Sequence, residues 1–276
     1  MSTIIHANPA AAETGSLPGQ ELRPRSYWPF VLPALIVVLA VIVFPWVFTI
    51  WMSLNEWKVG SPTTFVGLAN YLRLPTDERF IEAIGHTLIY TVLSVLLPLI
   101  FGTLAAVIFH AQFPFRGFLR AVFIMPMMAT PVAVALIWTM MFHPQLGVLN
   151  YLLSLIGIPP QLWVFHPATV IPSLVLVETW HWTPLVMLIV LGGIAAMIRT
   201  IDAVKSFDII FAITQGGPGS ASETINLYLY SVAFVYYDLG YGSAIAVVFF
   251  ALIVALAAVL LYLRQRTLWT EIGGGA

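Results

Sequence analysis

Five long apolar stretches constrain this chain more than any other feature of its sequence. A helix needs about 20 apolar residues to cross a bilayer, and each stretch is at least that long. They cover residues 28–53, 86–110, 121–142, 170–198 and 239–263. Only 8% of the residues are charged, whereas soluble domains carry about 25%. The sequence therefore predicts an all-α protein, a polytopic bundle of membrane helices.

The two ends of the chain, outside the first and last apolar stretches, are predicted to be tails. Residues 1–27 are polar and rich in Ala, Pro and Gly, a composition typical of flexible segments. The first apolar stretch is longer than the apolar core of a signal peptide, which has about 7–15 residues, so we expect a retained anchor. This division predicts a transmembrane domain at 28–264 between two cytoplasmic tails, 1–27 and 265–276.

Arginine placement predicts how the chain is oriented, because cytoplasmic loops are enriched in Lys and Arg. Three pairs of arginines stand next to the apolar stretches: Arg23 and Arg25, Arg116 and Arg120, and Arg264 and Arg266. This pattern places both termini in the cytoplasm, which requires an even number of spans. A sixth span must then lie between residues 198 and 240. The only candidate is the short segment 200–214, which would be a truncated fifth span in chain order.

The candidate segment 200–214 contains Asp202, Lys205 and Asp208. Positions three apart are neighbours on a helix, so these side chains would form one polar strip. Charged side chains within a span normally face a bundle interior or an aqueous path, and the strip is thus a candidate for a solute pathway. A structural ion pair, or a cytoplasmic loop that never enters the membrane, would explain the same residues.

The fourth apolar stretch holds a second candidate for the pathway. Glu178 and His181 are three residues apart and share a helix face, with Trp180 and Trp182 beside them. Carboxylates accept hydroxyl protons and aromatic rings pack on apolar faces, so this group would suit a sugar path. The alternative is an interhelical hydrogen bond flanked by tryptophans that face lipid.

Several kinds of site are not expected. The chain has no cysteine, its histidines do not have metal-ligand spacing, and its net charge of −1 does not suggest a nucleic-acid partner. The run Gly-Gly-Pro-Gly at 216–219 lacks the Gly-Lys-Ser/Thr ending of a phosphate-binding loop, so we interpret it as a turn. We therefore expect no cofactor, no metal and no nucleotide site in this chain.

A series of short motifs, in order, carries a resemblance to a known family. They are FVGLANY at 65–71, TLIYT at 87–91, FRG at 115–117, MP at 125–126, PV at 131–132, GVLN at 147–150, RTIDAVKSFD at 199–208 and TQGGPG at 214–219. In this order the chain resembles the membrane-spanning permease subunit of binding-protein-dependent carbohydrate ABC importers of the maltose and glycerol-3-phosphate type.

This resemblance implies a multi-pass protein of the bacterial inner membrane that forms half of a sugar pathway and is not itself an enzyme. It implies three partners: a second permease subunit, a cytoplasmic ATPase dimer that hydrolyses ATP, and an extracytoplasmic solute-binding protein. Membrane lipid would surround the spans. The sequence does not identify the solute.

One departure from the family is large. The family has a cytoplasmic loop with a Glu-Ala-Ala signature after its fourth span, and this loop docks on the ATPase. Here residues 191–198 resemble the end of span four and join directly to 199–208, which resembles the middle of span five. The loop and the first half of span five are missing. Only Ala195, Ala196, Met197 and Ile198 remain as a remnant of the coupling region.

Two other functions remain open from the residues alone. An ion-driven secondary transporter would use Glu178, His181 and Asp202, and an inverted repeat would favour it, but none is visible. An intramembrane enzyme would need clustered carboxylates. Asp77, Glu78 and Glu82 form such a cluster, but they lie in what is predicted to be a loop before the second span.

Overall fold

The computed structural model describes residues 28–190 and 203–273. About 75% of the structure is helical. The helices are α1 (Trp28–Ser53), α2 (Ala69–Arg73), α3 (Glu78–His110), α4 (Arg116–Met128), α5 (Pro131–Met141), α6 (Val148–Leu155), α7 (Pro167–Val190), α8 (Asp208–Thr214), α9 (Ile225–Tyr230) and α10 (Leu239–Gly273). A 3₁₀ turn, Leu74–Thr76, precedes α3, and a π-helical turn, Ser231–Val235, follows α9.

The helical prediction is confirmed in the main, but the fold is not purely helical. Two short antiparallel strands, β1 (Asn55–Glu56) and β2 (Thr64–Phe65), follow α1. The amide of Asn70 braces this hairpin by donating to the carbonyl oxygens of Ser53 and Asn55, at 2.9 and 3.0 Å.

Four of the described helices are long and apolar enough to cross a membrane. They are Val31–Ser53, Glu78–His110, Pro167–Val190 and Leu239–Tyr262. Span two was predicted to begin at residue 86, but α3 begins at Glu78. It therefore includes Glu78 and Glu82, which were assigned to a loop, and Asp77 is its N-cap. The described part of span four ends at Val190.

The predicted third span is wrong as a single helix. Helices α4 and α5 occupy residues 116–141 and meet at an angle of 98°. Ala129 and Thr130 are extended between them, and Pro131 is the first residue of α5. A proline lacks the N–H that would continue the helix and disfavours helical geometry in the residue before it. The Thr130 hydroxyl then accepts the N–H of Ala133, which starts the new helix.

The predicted sixth span at 200–214 is also wrong as a continuous helix. Within the described residues, helix ends at Val204, Lys205 forms a turn, and 206–207 have no regular structure before α8 begins at Asp208. With only seven residues, α8 is too short to cross a membrane. The described residues thus provide four spans, or five when the bent α4–α5 pair is counted as one.

The chain divides into two compact units between Trp46 and Val47, within α1. In the first unit, the apolar side chains of α1 from Val31 onward are exposed. In the second unit, α3 and α7 pack closely. A Cβ atom on Gly102 of α3 would lie 2.7 Å from Cγ1 of Val186 and 3.1 Å from the backbone nitrogen of Met187 on α7. Glycine at this position lets the two backbones approach, as small residues do in membrane bundles.

The start of α3 is held by polar side chains. Asp77 caps the helix by accepting the N–H groups of Arg79 and Phe80 at Oδ1, at 3.1 and 3.3 Å. Its other oxygen accepts the hydroxyls of Tyr228 and Tyr241, the latter at 2.6 Å. One carboxylate therefore joins α3 to α9 and α10.

A neighbouring ion pair reinforces this end of the bundle. Nε and Nη2 of Arg79 donate to the two oxygens of Glu223, at 2.6 and 2.8 Å. The Glu223 side chain is almost wholly buried, whereas that of Arg79 is 39% exposed. The planar guanidinium meets the carboxylate with two parallel bonds, which is the stronger geometry for such a pair.

We predict that Gly102→Ala destabilises the protein, because the added methyl group overlaps α7. Overpacking of this kind costs about 1–3 kcal/mol. The matched control is Gly85→Ala on the same helix, where a Cβ would meet nothing within 4 Å. The midpoint of thermal unfolding in detergent should fall for the first variant and stay or rise for the second. Equal midpoints would contradict the close α3–α7 approach.

We also predict that the contribution of Asp77 to stability depends on pH. Burial raises the pKa of Asp77, but the hydrogen bonds from Tyr228, Tyr241 and the N–H of Phe80, with the charge of Arg73, outweigh it and lower the pKa below its usual value. A lowered folded-state pKa means that this stabilisation is present above the unfolded pKa of about 3.9 and is lost as the pH falls through the folded value.

The variant Asp77→Asn tests this linkage, because it keeps an acceptor for the helix cap and removes the charge. Its loss of thermal stability relative to the parent should be clear at about pH 7 and should shrink towards about pH 3. The control is Glu56→Gln on the exposed hairpin, which should show little loss at either pH. A loss for Asp77→Asn that does not change with pH would contradict the lowered pKa.

Candidate functional site

A cavity of about 430 Å³ lies where α7 meets the irregular segment that precedes α8. Its lining combines charged, polar and aromatic side chains: Pro131, Glu178, His181, Trp182, Lys205, Ser206, Phe207, Asp208 and Ile209. It brings together residues that the sequence assigned to two separate candidate groups. Among the described residues, no group of three or more His, Cys, Asp or Glu is placed to hold a metal ion.

The wall formed by α7 contributes two buried ionisable side chains. Glu178 and His181 lie one turn apart on the same face, as predicted, and each is 3% exposed. Pro172 and Pro184 lie within α7, on either side of this pair. The ring of His181 is 5.1 Å from that of Trp182, which also lines the cavity.

Hydrogen bonds connect Glu178 to Ser206 in the segment before α8 and, through Ser206, to Tyr90 on α3. The hydroxyl of Ser206 donates to Oε1 of Glu178 at 3.4 Å. Ser206 also bonds to the hydroxyl of Tyr90 on α3 at 3.2 Å. Since Ser206 has one proton, its bond to the carboxylate leaves it as the acceptor for Tyr90. The position of Glu178 is thus coupled to both α3 and the segment before α8.

The opposite wall carries the predicted polar strip in a different form. Lys205 and Asp208 both line the cavity and are exposed. They do not share a helix face, because the backbone leaves the helix at Lys205 and resumes it at Asp208. Among the described ion pairs, none joins these two side chains. Asp202 lies outside the described residues.

The two tryptophans of α7 have different surroundings. Trp182 lines the cavity. Trp180 is 42% exposed and packs edge-on against Trp138 of α5, with ring centroids 5.6 Å apart, so the structure does not bring it to the cavity. Phe207 provides a second aromatic wall and stacks on Phe211 at 5.1 Å.

Sequence reasoning missed Ser206 and Phe207. Both lie between Lys205 and Asp208, and on one continuous helix they would face away from the strip. The break in the helix turns them towards the cavity instead. The predicted coupling remnant, Ala195 to Ile198, lies outside the described residues. The motif at 216–219 forms a turn, as predicted.

The arrangement offers complementary chemistry within one cavity. Two carboxylates can accept hydrogen bonds, a lysine can donate, and a histidine can do either. Two aromatic rings supply apolar surface. Such a mixture suits a solute with many hydroxyl groups and apolar ring faces.

Comparison with known proteins identifies the family. No family model matches the chain. The trehalose/maltose transport system permease protein of Thermococcus litoralis is 32% identical, over 84% of this chain and 90% of its own length. The sulfoquinovosyl glycerol transport system permease protein of Agrobacterium fabrum is 29% identical, over 84% and 87%.

A solved structure shares the fold. The crystal structure of a bacterial alginate ABC transporter in complex with an alginate pentasaccharide-bound periplasmic protein contains a chain that matches with a TM-score of 0.74. The match covers 87% of this chain and 94% of that one, at 16% identity.

The sequence alignments also contain positions of the relatives that have no counterpart in this chain. The alignment with the Thermococcus litoralis protein runs over 271 positions but takes in only 84% of 276 residues, about 232, so about 40 positions have no counterpart here. The Agrobacterium fabrum alignment, over 272 positions and 84% of the chain, leaves about the same number unmatched. With identity above 30% over most of its length, the chain belongs to the permease subunits of carbohydrate ABC transporters, the family that its motifs resemble.

Proposed function

We propose that this multi-pass membrane protein forms half of the translocation pathway of an ATP-driven importer for a sugar or sugar-like solute. The cavity between α7 and the segment before α8 is part of that pathway. The observation that carries the proposal is the convergence of Glu178, His181, Trp182, Lys205 and Asp208 on one space of about 430 Å³. Relatives that transport trehalose, maltose or sulfoquinovosyl glycerol support the solute class.

The proposal extends to partners and location. A second permease subunit completes the pathway, an ATPase dimer binds from the cytoplasm, and a solute-binding protein delivers the solute from outside. The solved alginate transporter bound to its periplasmic protein supports this assembly. The family to which the chain belongs favours the bacterial inner membrane, and the arginines near the span ends favour an orientation with both termini in the cytoplasm. Residues 28–264 form the transmembrane domain between tails 1–27 and 265–276.

Two predicted pathway residues stay predictions, because the structure does not bring Trp180 to the cavity and Asp202 lies outside the described residues. Asp202 belongs beside Lys205 by sequence, and Trp180 lies on the outer side of α7. Neither an ion-driven transporter nor an intramembrane enzyme is favoured, because the relatives are permeases of ABC transporters.

We predict that Asp208→Ala and Glu178→Gln impair solute uptake. A hydrogen bond to a charged group contributes about 1.5–3 kcal/mol, so the apparent solute affinity should fall about tenfold to a hundredfold. Uptake is measured in liposomes with the partner subunits, in a form of the chain with the coupling loop restored. The control, Glu56→Ala, changes an exposed carboxylate outside the cavity. Wild-type uptake by both cavity variants, at equal membrane levels, would assign these charges to structure.

Coupling provides a second prediction. When the ATPase subunits close on ATP, their movement must reach the membrane helices through an element that the ATPase and the permease both contact. The loop that forms this element in the family is absent after residue 198. The connection between α3 and α4, residues 111–115, is short, and Arg116 and Arg120 lie at the start of α4. We therefore predict that the chain as it stands inserts into membranes but does not bind the ATPase stably or support ATP-driven uptake.

The measurement is co-purification with the cognate ATPase, followed by solute-stimulated ATP hydrolysis in liposomes containing the binding protein and the partner permease. The matched comparison is the same chain with the missing segment of a relative inserted between Ile198 and Arg199. Stimulated hydrolysis should appear only after insertion. Robust hydrolysis without the insert would show that another surface docks the ATPase.

A further inference from the structure

A run of four aromatic rings extends from the cavity towards the end of the bundle where α3 begins. Phe207, which lines the cavity, stacks on Phe211 of α8, with ring centroids 5.1 Å apart and planes inclined by 13°. Tyr230 of α9 lies 5.5 Å from Phe207 and 5.3 Å from Phe211. Phe234, in the π-helical turn, lies a further 5.5 Å from Tyr230. We call these four rings the aromatic track.

The far end of the aromatic track is at the level of the polar cluster that begins α3. Two residues beyond the track, the hydroxyl of Tyr236 accepts Nη1 of Arg79 at 2.6 Å. The cavity end is at the level of Tyr90, which bonds to Ser206 in the cavity wall. Arg79 and Tyr90 are about 17 Å apart along α3, at 1.5 Å per residue. The track thus joins the cavity to one end of the bundle, which is the extracytoplasmic end in the proposed orientation.

The aromatic track is only partly covered by the rest of the described chain. Phe207, Phe211 and Tyr230 are partly exposed, and Phe234 is 62% exposed. Rings that serve only as core packing are buried on all sides, as Phe142 is. The four rings of the track therefore leave aromatic surface available to a solute.

Polar groups flank the aromatic track and distinguish it from a surface that faces lipid. Lys205 and Asp208 are exposed at its cavity end. The partly exposed side chain of Asn226 donates to the carbonyl oxygen of Lys205 at 2.8 Å. The hydroxyl of Tyr230 makes no hydrogen bond within the described residues and is not fully buried. Since charged side chains are disfavoured against hydrocarbon, water and solute adjoin this surface rather than lipid tails.

Rings and free polar groups in this arrangement suit a pyranose. The C–H face of a pyranose ring is apolar and packs on an aromatic ring, while its hydroxyls need hydrogen-bond partners. The steps from Phe207 to Tyr230 and from Tyr230 to Phe234 are both 5.5 Å, close to the length of one hexose unit in an oligosaccharide. A sugar can therefore meet the next ring as it leaves the last, and each contact is weak enough to release it.

We propose that the aromatic track is a second carbohydrate-binding surface, which guides pyranose rings between the outer end of the bundle and the cavity. Phe234 is its outermost contact. Tyr230 is its midpoint, where the hydroxyl can donate to or accept from a sugar hydroxyl. The inference rests on the proposed function, because it assumes that the cavity receives a sugar. It assigns solute contacts to three residues that do not line the cavity, Phe211, Tyr230 and Phe234.

The experiment measures sugar binding to the full chain in detergent by saturation-transfer NMR. The probes are methyl glucoside, methyl galactoside and maltotriose, and mannitol, which has hydroxyls but no ring face, is the ligand control. Phe234→Ala should weaken the binding of at least one pyranose about twofold to tenfold, the range expected for one aromatic contact. Phe234→Tyr should restore it. The matched control, Phe165→Ala, removes a ring that is almost equally exposed, at 57% against 62%, but lies outside the track.

Variants of Tyr230 separate stacking on a sugar from packing within the protein. Tyr230→Phe keeps the ring and should retain part of the affinity, whereas Tyr230→Leu should lose more. Unchanged sugar affinity for both Phe234→Ala and Tyr230→Leu would show that the rings only pack, and would overturn the proposal. A loss of co-purification with the second permease, with no loss of sugar affinity, would also overturn it, because the track would then be a subunit interface.

The variant Glu178→Gln in the same titration distinguishes this inference from the proposed function. If Glu178→Gln weakens binding and the track variants do not, the cavity stands and the track is refuted. If the track variants weaken binding and Glu178→Gln does not, the track stands and the role of the cavity carboxylate is refuted. Binding of no pyranose above the level of mannitol by the parent chain would overturn both.

Discussion

The packing of α3 against α7 is the interaction on which the rest of this structure depends. The absence of a side chain at Gly102 lets the two backbones approach. Through this contact, α3 carries Tyr90 to the position where Ser206 can link it to Glu178. The geometry of the cavity is therefore set by a helix that contributes none of its lining. A change in the α3–α7 distance would move the carboxylate even if no cavity residue changed.

The distribution of polar groups follows from the cost of leaving them unpaired in an apolar medium. At the start of α3 the half-buried Asp77 accepts two tyrosine hydroxyls, and the buried Glu223 is paired with Arg79. The charged side chains of the cavity differ from these, because Lys205 and Asp208 are exposed. One cluster joins helices by satisfying its own charges, and the other keeps charges available, which is what a pathway for a hydroxylated solute requires.

Apolar length was enough to predict α1, α7 and α10, and the shared helix face of Glu178 and His181 followed from helical spacing. Hydropathy did not predict the bend between α4 and α5. The sequence Thr130-Pro131 carries a cap and a helix start, yet its apolar neighbours hide both signals. The prediction that Lys205 and Asp208 share one helix face was wrong for a related reason. Its spacing assumed a continuous helix, and only tertiary packing shows that the helix ends at Val204. Ser206 and Phe207 could not be chosen without that break.

One absence connects the two unusual features of this chain. About 40 positions of the relatives have no counterpart, and the motifs place the gap between spans four and five. In the family that the motifs resemble, the docking loop and the first half of span five are adjacent in sequence, so a single gap would account for the absence of both. The cavity survives because its walls come from α7 and from residues after Val204, which lie on either side of the gap. The residues of the proposed pathway are thus kept by the described part of the chain, whereas the proposed coupling element falls in the gap.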